Sequence, residues 1–375
     1  MRKELLKMLA IVMLAFTAQF AMAQTYSFPV EGSQGFSMTN KTKDGARINY
    51  NLGQFSLNQI NYRGEEMSEI SIKAITIPNE AGLPNLPAES RMIAIPQGAK
   101  ASLTVVRAEK QTFQNVNIAP ALRIQAESED PDMNYEKDPQ VYSKNAFYPE
   151  NPFTVGESYI RGVDAVTVTI MPFQYNPVTK ELVVYSNVEL AINYEGGRGH
   201  FGEDRLRSPY WDPILAAELM NYDQLPVIDY EARMQQWLRD GADGAEYVIV
   251  TPNNDAWAPY AQQLKEFRTK QGIITEVYRL DEMPATTTAM MKTWFHNAYQ
   301  TWTIAPVAVL LLGDHNTNMA QGIPAETTPH PYSSTCITDN FYADAQGNDN
   351  LPDMVFSRLV AQNASELPIL VGKQI

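Results

Sequence analysis

Acidic side chains concentrate in one short stretch of the chain, from Ile337 to Leu359. Its carboxylates belong to Asp339, Asp344, Asp349 and Asp353, and a Gly-Asn-Asp tripeptide at 347–349 lies at its centre. Calcium takes six to eight oxygen ligands, which carboxylates and backbone carbonyls can supply. The spacing does not match an EF-hand loop. The stretch is therefore compatible with a metal loop, with a catalytic loop or with a solvated turn before a strand.

A second polar group follows the apolar segment "PVAVLLLG", where Asp314 and His315 stand. Ligands of open α/β sheets bind at the carboxyl ends of the strands. The acidic stretch follows the same strand and leads into the next one, so we expect the two groups to meet at one rim of the sheet. Asp314, Asp349 and Asp353 could then offer carboxylates to one cation. The alternative stays open, because Asp and Asn are also ordinary turn residues.

The chain contains a single cysteine, Cys336, which excludes a disulfide within the chain. A nucleophilic thiolate needs an adjacent base, and His315 is a conceivable partner. However, Cys336 lies in the polar segment "PYSSTCITD", where no helix N-terminus is expected that could lower its pKa. We therefore interpret Cys336 as an inert residue and His315 as a hydrogen-bonding residue at a strand end.

The first 23 residues have the pattern of a secretory signal peptide. Arg2 and Lys3 precede an apolar run, and Ala21-Met22-Ala23 supplies a cleavage signal. No later run is long and apolar enough to span a bilayer. A net charge of -14 argues against nucleic acid and anionic membranes as partners. The sequence therefore predicts an exported protein, secreted or held at the cell surface.

The hydrophobic pattern divides the remaining chain into three parts. Residues 24–194 contain short runs rich in β-branched residues, and Ala165–Gln174 and Glu181–Tyr194 flank the turn "YNPVTK" like a β-hairpin. Residues 195–244 are rich in glycine and charge, as exposed linkers usually are. Residues 245–375 alternate apolar strands with helical periods, and one helix is expected to open at Pro284. This βαβαβ order predicts a parallel sheet.

Two arginines of the linker are candidates for proteolytic processing. Arg233 and Arg239 lie in the stretch that we expect to be exposed and flexible, where nicking concentrates. Cleavage there would release the β-rich part from the α/β part.

Several strings resemble the gingipain-type cysteine peptidases (family C25). "VAVLLLGDH…GIPA" and "TDNFYADAQGNDNLPDMVFSRL" are similar to the early catalytic domain of that family, and "GLPNLPAESRMIAIPQG" is similar to its propeptide. The resemblance implies a β-rich N-terminal prodomain followed by a caspase-like α/β subdomain. That subdomain would be doubly wound around a mostly parallel sheet and truncated in this chain.

The resemblance also implies a structural calcium ion. Its ligands, carried over residue by residue, would be the side chains of Asp314, Asp349 and Asp353 with the backbone carbonyls of Gln346 and Leu351. Asp353 stands where relatives have Glu, which keeps the charge but shortens the reach.

The function implied by the resemblance is that of a secreted cysteine endopeptidase precursor. Such an enzyme acts on proteins and peptides through an acyl-enzyme, with its own propeptide as intramolecular inhibitor. The family's catalytic His sits in a Gly-His-Gly motif and its Cys follows soon after. Neither matches residues 1–375, so we expect no catalytic residue in this chain. Two alternatives remain, a surface sortase of the type IX secretion route and a non-catalytic, calcium-stabilised binding or scaffold protein.

Overall fold

The computed structural model describes residues 23–73, 75, 80–122, 135–284, 286–330 and 334–375. The predicted signal peptide lies outside the described residues except for Ala23. Among the described residues, no helix is long and apolar enough to cross a membrane.

The N-terminal part, the β domain, is built from antiparallel strands. The described strands form sheets in the orders β1-β4-β5, β10-β11-β3-β2 with β7 also on β11, and β6-β9-β8. Their bounds are β1 (Gln24–Ser27), β2 (Gly35–Thr42), β3 (Gly45–Asn51), β4 (Gln54–Tyr62), β5 (Glu65–Ser71), β6 (Glu89–Ala94), β7 (Ala99–Phe113), β8 (Phe153–Ile160), β9 (Val163–Ile170), β10 (Phe173–Asn176) and β11 (Glu181–Gly196). A short helix, α1 (Pro139–Tyr142), precedes β8.

Alternation of inward and outward side chains makes these strands. In β3, Ile48 and Tyr50 point into the core, while Arg47 and Asn49 are partly exposed. In β11, Leu190 and Ile192 join the same apolar cluster, while Glu189 and Asn193 on either side of them are more exposed. The predicted β-rich fold of this part is confirmed.

The predicted hairpin around "YNPVTK" is right at its turn and wrong in its first arm. Asn176 lies opposite Glu181, and its side chain accepts hydrogen bonds from the amides of Val178 and Thr179. The partner strand is the short β10, because β9 ends at Ile170 and belongs to another sheet. Pro172 lies at this change of sheet, and a proline has no N–H to donate to a ladder.

The segment 195–244 fits the predicted exposed linker only in its second half, because residues 201–225 contain many buried side chains whereas none of residues 226–244 is buried. It contains α2 (Asp212–Glu218), α3 (Tyr230–Asp240) and two short 3₁₀ turns, at Asp204–Leu206 and Tyr222–Gln224. Trp211 and Leu215 are buried in one cluster with Val163 of the β domain and Val307 of the C-terminal part. Large apolar side chains therefore override the glycine-rich composition in residues 201–225, which pack between both parts.

The C-terminal part is an α/β subdomain with the parallel sheet order β13-β12-β14-β17, which confirms the predicted class. Helix α5 begins at Thr288 rather than at Pro284, because the Thr287 side chain caps it by accepting the Met290 amide. The elements are β12 (Tyr247–Thr251), α4 (Ala258–Lys270), β13 (Thr275–Arg279), α5 (Thr288–Thr301), β14 (Ala308–Leu312), the hairpin β15 (Glu326–Pro329) and β16 (Thr335–Thr338), α6 (Asn340–Ala343), β17 (Val355–Leu359) and α7 (Leu367–Gly372), with 3₁₀ turns at Asp255–Trp257 and Ala364–Glu366.

Helices cover both faces of this sheet. Phe295 of α5 packs on one face with Val248 and Val309, whereas Leu264 of α4 packs on the other with Ile249. A parallel sheet buried on both faces explains why its strands are continuously apolar. The subdomain is therefore doubly wound.

Candidate functional site

The residues 344–353, called here the acidic loop, lie at the amino end of β17. The parallel register sets Ala308 opposite Val355 and Leu312 opposite Leu359. Asp314 lies past the other end of this pair, where its amide donates to the Ala361 carbonyl at 3.0 Å.

This register separates Asp314 from Asp353. Asp353 precedes Ala361 by eight residues, which corresponds to roughly 25 Å along extended chain. The expectation that Asp314 and the acidic loop meet at one rim of the sheet is therefore wrong, because the loop returns to the starting edge of the sheet before β17 begins. The two carboxylates cannot ligate one ion in this arrangement.

The Asp353 carboxylate is fully buried and surrounded by protein donors. Its Oδ1 accepts the Arg161 amide at 2.9 Å and the Tyr299 hydroxyl at 3.4 Å. Its Oδ2 accepts the amides of Ala345 and Gln346 at 2.9 and 2.7 Å. A carboxylate offers about four lone-pair positions, and these donors occupy them. In this state Asp353 does not fit the role of a calcium ligand.

Asp349 holds the middle of the acidic loop. Its Oδ1 accepts the Leu351 amide at 3.0 Å, and its Oδ2 accepts the Tyr159 amide of the β domain at 2.8 Å. Gln346 and Leu351 thus donate their amides to the carboxylates of Asp353 and Asp349. The predicted role of their carbonyls as calcium ligands is not tested by these hydrogen bonds. Among the described residues, no group of three or more His, Cys, Asp or Glu side chains is arranged to hold a metal ion. Calcium binding by this loop stays a prediction.

Asp344 is buried, not solvated as its sequence context indicated. Its Oδ2 accepts the Asn350 amide at 3.1 Å, and its Oδ1 has no hydrogen-bond partner among the described residues. The loop bends sharply here, since Asn348 and Asn350 have left-handed φ values of 52° and 66°. Short side chains that tolerate this conformation explain the Gly-Asn-Asp composition.

Burial changes the pKa values of three groups that meet where the β domain contacts the acidic loop, a place called here the junction: Asp353, Tyr299 and Arg161. It raises the pKa of Asp353 to about 6, and the three backbone amides and then the nearby Arg161 oppose that rise. Burial also raises the pKa of Tyr299, with the Asp353 charge as the second cause. Desolvation lowers the pKa of the Arg161 guanidinium, while Tyr299 and Asp353 favour its charged form.

Arg161 is the functional residue that sequence reasoning missed. It occupies the two-residue turn between β8 and β9 with φ 45°, followed by Gly162 with φ 73°, so both turn residues are left-handed as in a type I′ hairpin. Only 1% of Arg161 is exposed, and its side chain reaches into the α/β subdomain. The dipeptide Arg-Gly between two β runs indicates a turn, but nothing in the sequence indicates its partner.

At the other end of the sheet, His315 and Arg358 organise the chain around Gly313. His315 Nδ1 accepts the Ala325 amide at 2.9 Å, which confirms its interpretation as a hydrogen-bonding residue at a strand end. Arg358 donates to the carbonyls of Gly313 and Ile323 at 3.1 and 2.9 Å. These contacts fix the loop after β14.

Cys336 lies in β16, opposite Thr328 of β15. Its thiol is partly buried and free. No hydrogen bond between Cys336 and a histidine occurs among the contacts of the described residues, and the hairpin is not a strand–turn–helix elbow of the kind that activates nucleophiles. Within the described part of the chain, Cys336 therefore makes no contact of the kind that a catalytic thiolate makes with its base.

The candidate processing arginines differ in their surroundings. Arg233, inside α3, donates to the carbonyls of Asp204 and Arg207 at 2.8 and 3.1 Å. Arg239 lies in the last turn, with 72% of its side chain exposed and an ion pair to the adjacent Asp240. Of the two, Arg239 is the accessible one.

Two family models match the chain in tandem. The C25 propeptide model matches residues 37–204, and the model of peptidase family C25 matches residues 241–375. The chain belongs to peptidase family C25. It combines the family's propeptide with the first part of its peptidase domain, and the interval between the two matches contains α2 and α3.

Curated members of family C25 are similar over most of this chain. Gingipain R2 of Porphyromonas gingivalis is 23% identical over 335 residues, which cover 86% of this chain and 42% of the relative. Gingipain R1 is 27% identical over 79% of this chain and 28% of the relative. Lys-gingipain is 25% identical over 89% of this chain and 19% of the relative. The chain thus spans less than half the length of these relatives.

Solved structures of the family are also similar. A complex of Porphyromonas gingivalis RgpB pro- and mature domains matches with a TM-score of 0.45 and 22% identity, over 51% of this chain and 98% of that chain. A structure concerned with the zymogenic latency of gingipain K matches with a TM-score of 0.41 and 21% identity, over 47% and 100%.

Proposed function

We propose that this chain is the pro-segment and first catalytic subdomain of an exported cysteine endopeptidase precursor. The observation that carries the proposal is the tandem order of a C25 propeptide match and a C25 peptidase match. The basic and apolar residues at the start of the chain support export, since they have the pattern of a signal peptide.

In the complete enzyme, a cysteine thiolate would attack the peptide carbonyl while a histidine takes and returns the proton, through an acyl-enzyme. We place both groups outside residues 1–375. Cys336 and His315 are not assigned to this chemistry, because His315 accepts the Ala325 amide and Cys336 lies in a two-stranded hairpin rather than at a strand–turn–helix elbow. The α/β subdomain of this chain would contribute the first strands and helices of the catalytic domain, against which its later part would pack.

The β domain is proposed to act as intramolecular inhibitor until the chain is cut. Support comes from its contacts with the α/β subdomain, where Arg161 is buried and residues 201–225 pack between both parts. Cleavage after Arg239 would break the covalent link at an exposed helix end.

A peptide chloromethyl ketone tests the enzyme class, because a reactive thiolate displaces its chloride and forms a stable thioether. It is added to the product of the whole gene after the chain is cut in the 195–244 segment, and mass spectrometry locates the modified residue. We expect one modified cysteine, distinct from Cys336. Absence of any modified cysteine would favour the scaffold alternative, and modification of Cys336 would show that this residue is the nucleophile, contrary to the proposal.

A further inference from the structure

The tip of the β8–β9 hairpin, residues 159–162 with the turn at Arg161 and Gly162, contacts the α/β subdomain at the acidic loop. Two of its backbone amides point at carboxylates: the Tyr159 amide at Asp349 Oδ2, 2.8 Å away, and the Arg161 amide at Asp353 Oδ1, 2.9 Å away. We propose that the acidic loop is a docking seat for this turn, and that Asp353 is the anchor of the contact rather than a cation ligand.

The Asp353 carboxylate accepts hydrogen bonds from both the β domain and its own loop. Asp353 Oδ1 takes the amide of the incoming turn, while Oδ2 takes the amides of Ala345 and Gln346 in its own loop. The same carboxylate therefore stabilises the conformation of the acidic loop and binds the turn to it. Hydrogen bonds to a charged acceptor are the stronger ones, and burial removes competing water.

The Arg161 guanidinium is buried next to Asp353, and backbone carbonyls accept its hydrogen bonds. It donates to the carbonyls of Leu206 at 2.7 Å, Pro306 at 2.5 Å, Asp353 at 3.0 Å and Ala305 at 3.4 Å. These carbonyls come from the 195–244 segment and from the chain before β14 and β17. A planar fork with five donors suits this set, whereas an ammonium group cannot reach them together.

Two aromatic rings enclose the same guanidinium. Its central carbon lies 5.7 Å from the centroid of the Trp211 ring and 5.3 Å from that of the Tyr299 ring. Cation–π contacts of this kind gain strength when the cation is desolvated. The site is therefore built for an arginine presented by a tight turn.

Glycines allow the close approach. A Cβ on Gly347 would lie 2.5 Å from Cδ2 of Tyr159, and a Cβ on Gly162 would lie 2.5 Å from Cδ1 of Leu206. Both glycines also have left-handed φ values, 91° and 73°. The surfaces of turn and seat are thus complementary in shape as well as in hydrogen bonding, and the partner that fits is a type I′ turn carrying Arg-Gly.

Hydrogen exchange on the full chain tests the anchor in the variant D353N. An amide side chain cannot accept from all of the donors around Asp353, so we expect exchange at the Arg161 amide to rise about tenfold or more, matching the loss of one charged hydrogen bond. The Tyr159 amide should follow as the turn lifts, while amides in the middle of β9 keep their protection. The variant D344N is the matched control, since Asp344 is buried in the same loop and accepts its hydrogen bond from the Asn350 amide of that loop rather than from the β domain.

A second readout uses the position of the tryptophans, which all lie between Trp211 and Trp302 and none in the β domain. Tryptophan fluorescence and far-ultraviolet circular dichroism should melt together in the wild type and separate in D353N. Should D353N fail to fold, R161K replaces it, because it weakens the same junction from the β domain and leaves the acidic loop intact.

The cation alternative gives the opposite results. If Asp353 were a calcium ligand, D353N would abolish a calcium-induced rise of the melting temperature and leave the Arg161 amide protected. Either of those outcomes overturns the proposal, and so does equal exchange in D353N and D344N. None of these results depends on peptidase activity, so failure here is distinguishable from failure of the proposed function.

Discussion

Arg358 and Asp339 form a bidentate ion pair: Nε and Nη2 of the arginine donate to the two carboxylate oxygens at 2.8 and 2.7 Å. Only 9% of the Arg358 side chain and 22% of the Asp339 side chain are exposed. The pair joins β17 to the start of α6, and Arg358 also holds the loop after β14. It therefore links the three segments that surround the carboxyl end of the sheet.

The substitution R358K should destabilise the α/β subdomain. Lysine keeps the charge but loses the fork, so we expect the free energy of unfolding to fall by about 3 kcal/mol. Urea denaturation followed by tryptophan fluorescence measures it. The control is R279K, because Arg279 of β13 also pairs with an aspartate, Asp281, but with both side chains more exposed. We expect R279K to cost less than about 1 kcal/mol, and equal losses in the two variants would contradict this explanation.

Limited digestion with trypsin should cut first after Arg239. Its side chain is exposed at the end of α3, where Gly241 ends the helix with φ 62°, whereas the Arg233 guanidinium is tied to two carbonyls. Helix ends open at lower cost than helix interiors. N-terminal sequencing of the C-terminal fragment should read from Asp240. R239Q should delay the first cut and R233Q should not, and a first cut after Arg233 would refute the argument.

The variant E246Q should change how stability depends on pH. Glu246 is buried, its Oε2 accepts the Ile274 amide at 3.1 Å, and burial raises its pKa. The folded protein therefore holds this proton to higher pH than the unfolded chain does. The resulting stability is present below the ordinary glutamate pKa and is lost as the pH rises through the raised value.

Glutamine keeps an acceptor for the Ile274 amide and does not titrate. Calorimetry from roughly pH 4 to pH 8 should show the melting temperature of E246Q gaining on that of the wild type as the pH rises. Parallel curves for the two proteins would show that the buried carboxyl contributes no pH dependence.

Calcium and chelator give the next prediction, based on the separation of Asp314 from Asp353. The family resemblance implies one ion held by both, so D314N and D353N would each abolish any calcium-induced rise of the melting temperature. The parallel register predicts instead that no calcium response depends on both residues. Thermal melting of the wild type and the two variants, with calcium and with chelator, decides between these results.

The fold class was predictable from the sequence because its signals are local. Continuous apolar runs such as 306–313 and helical periods such as that of Leu264 and Ala261 specify buried parallel strands and amphipathic helices. The turn at Asn176 was predictable for the same reason, since its side chain closes the turn itself. The register of β17 against β14 was not predictable from the sequence. It depends on the path of the chain after Asp314, which runs back to the edge of the sheet where β14 starts before β17 begins.

The contact between the β8–β9 turn and the acidic loop was not predictable, because it joins residues far apart in the chain. Arg161 and Asp353 are separated by 192 positions, and each alone has an ordinary interpretation, one in a hairpin turn and one in an acidic loop. The composition of 195–244 was misleading for a similar reason. Its glycines and charges flank Trp211 and Leu215, whose burial against both parts outweighs them.

The most direct test of the central claim is hydrolysis of peptides by the product of the whole gene, before and after the chain is cut following Arg239. We predict no hydrolysis before the cut, hydrolysis sensitive to thiol alkylation after it, and the same activity in the variant C336S. Activity that does not respond to the cut, activity that C336S abolishes, or no hydrolysis after cutting would contradict the account.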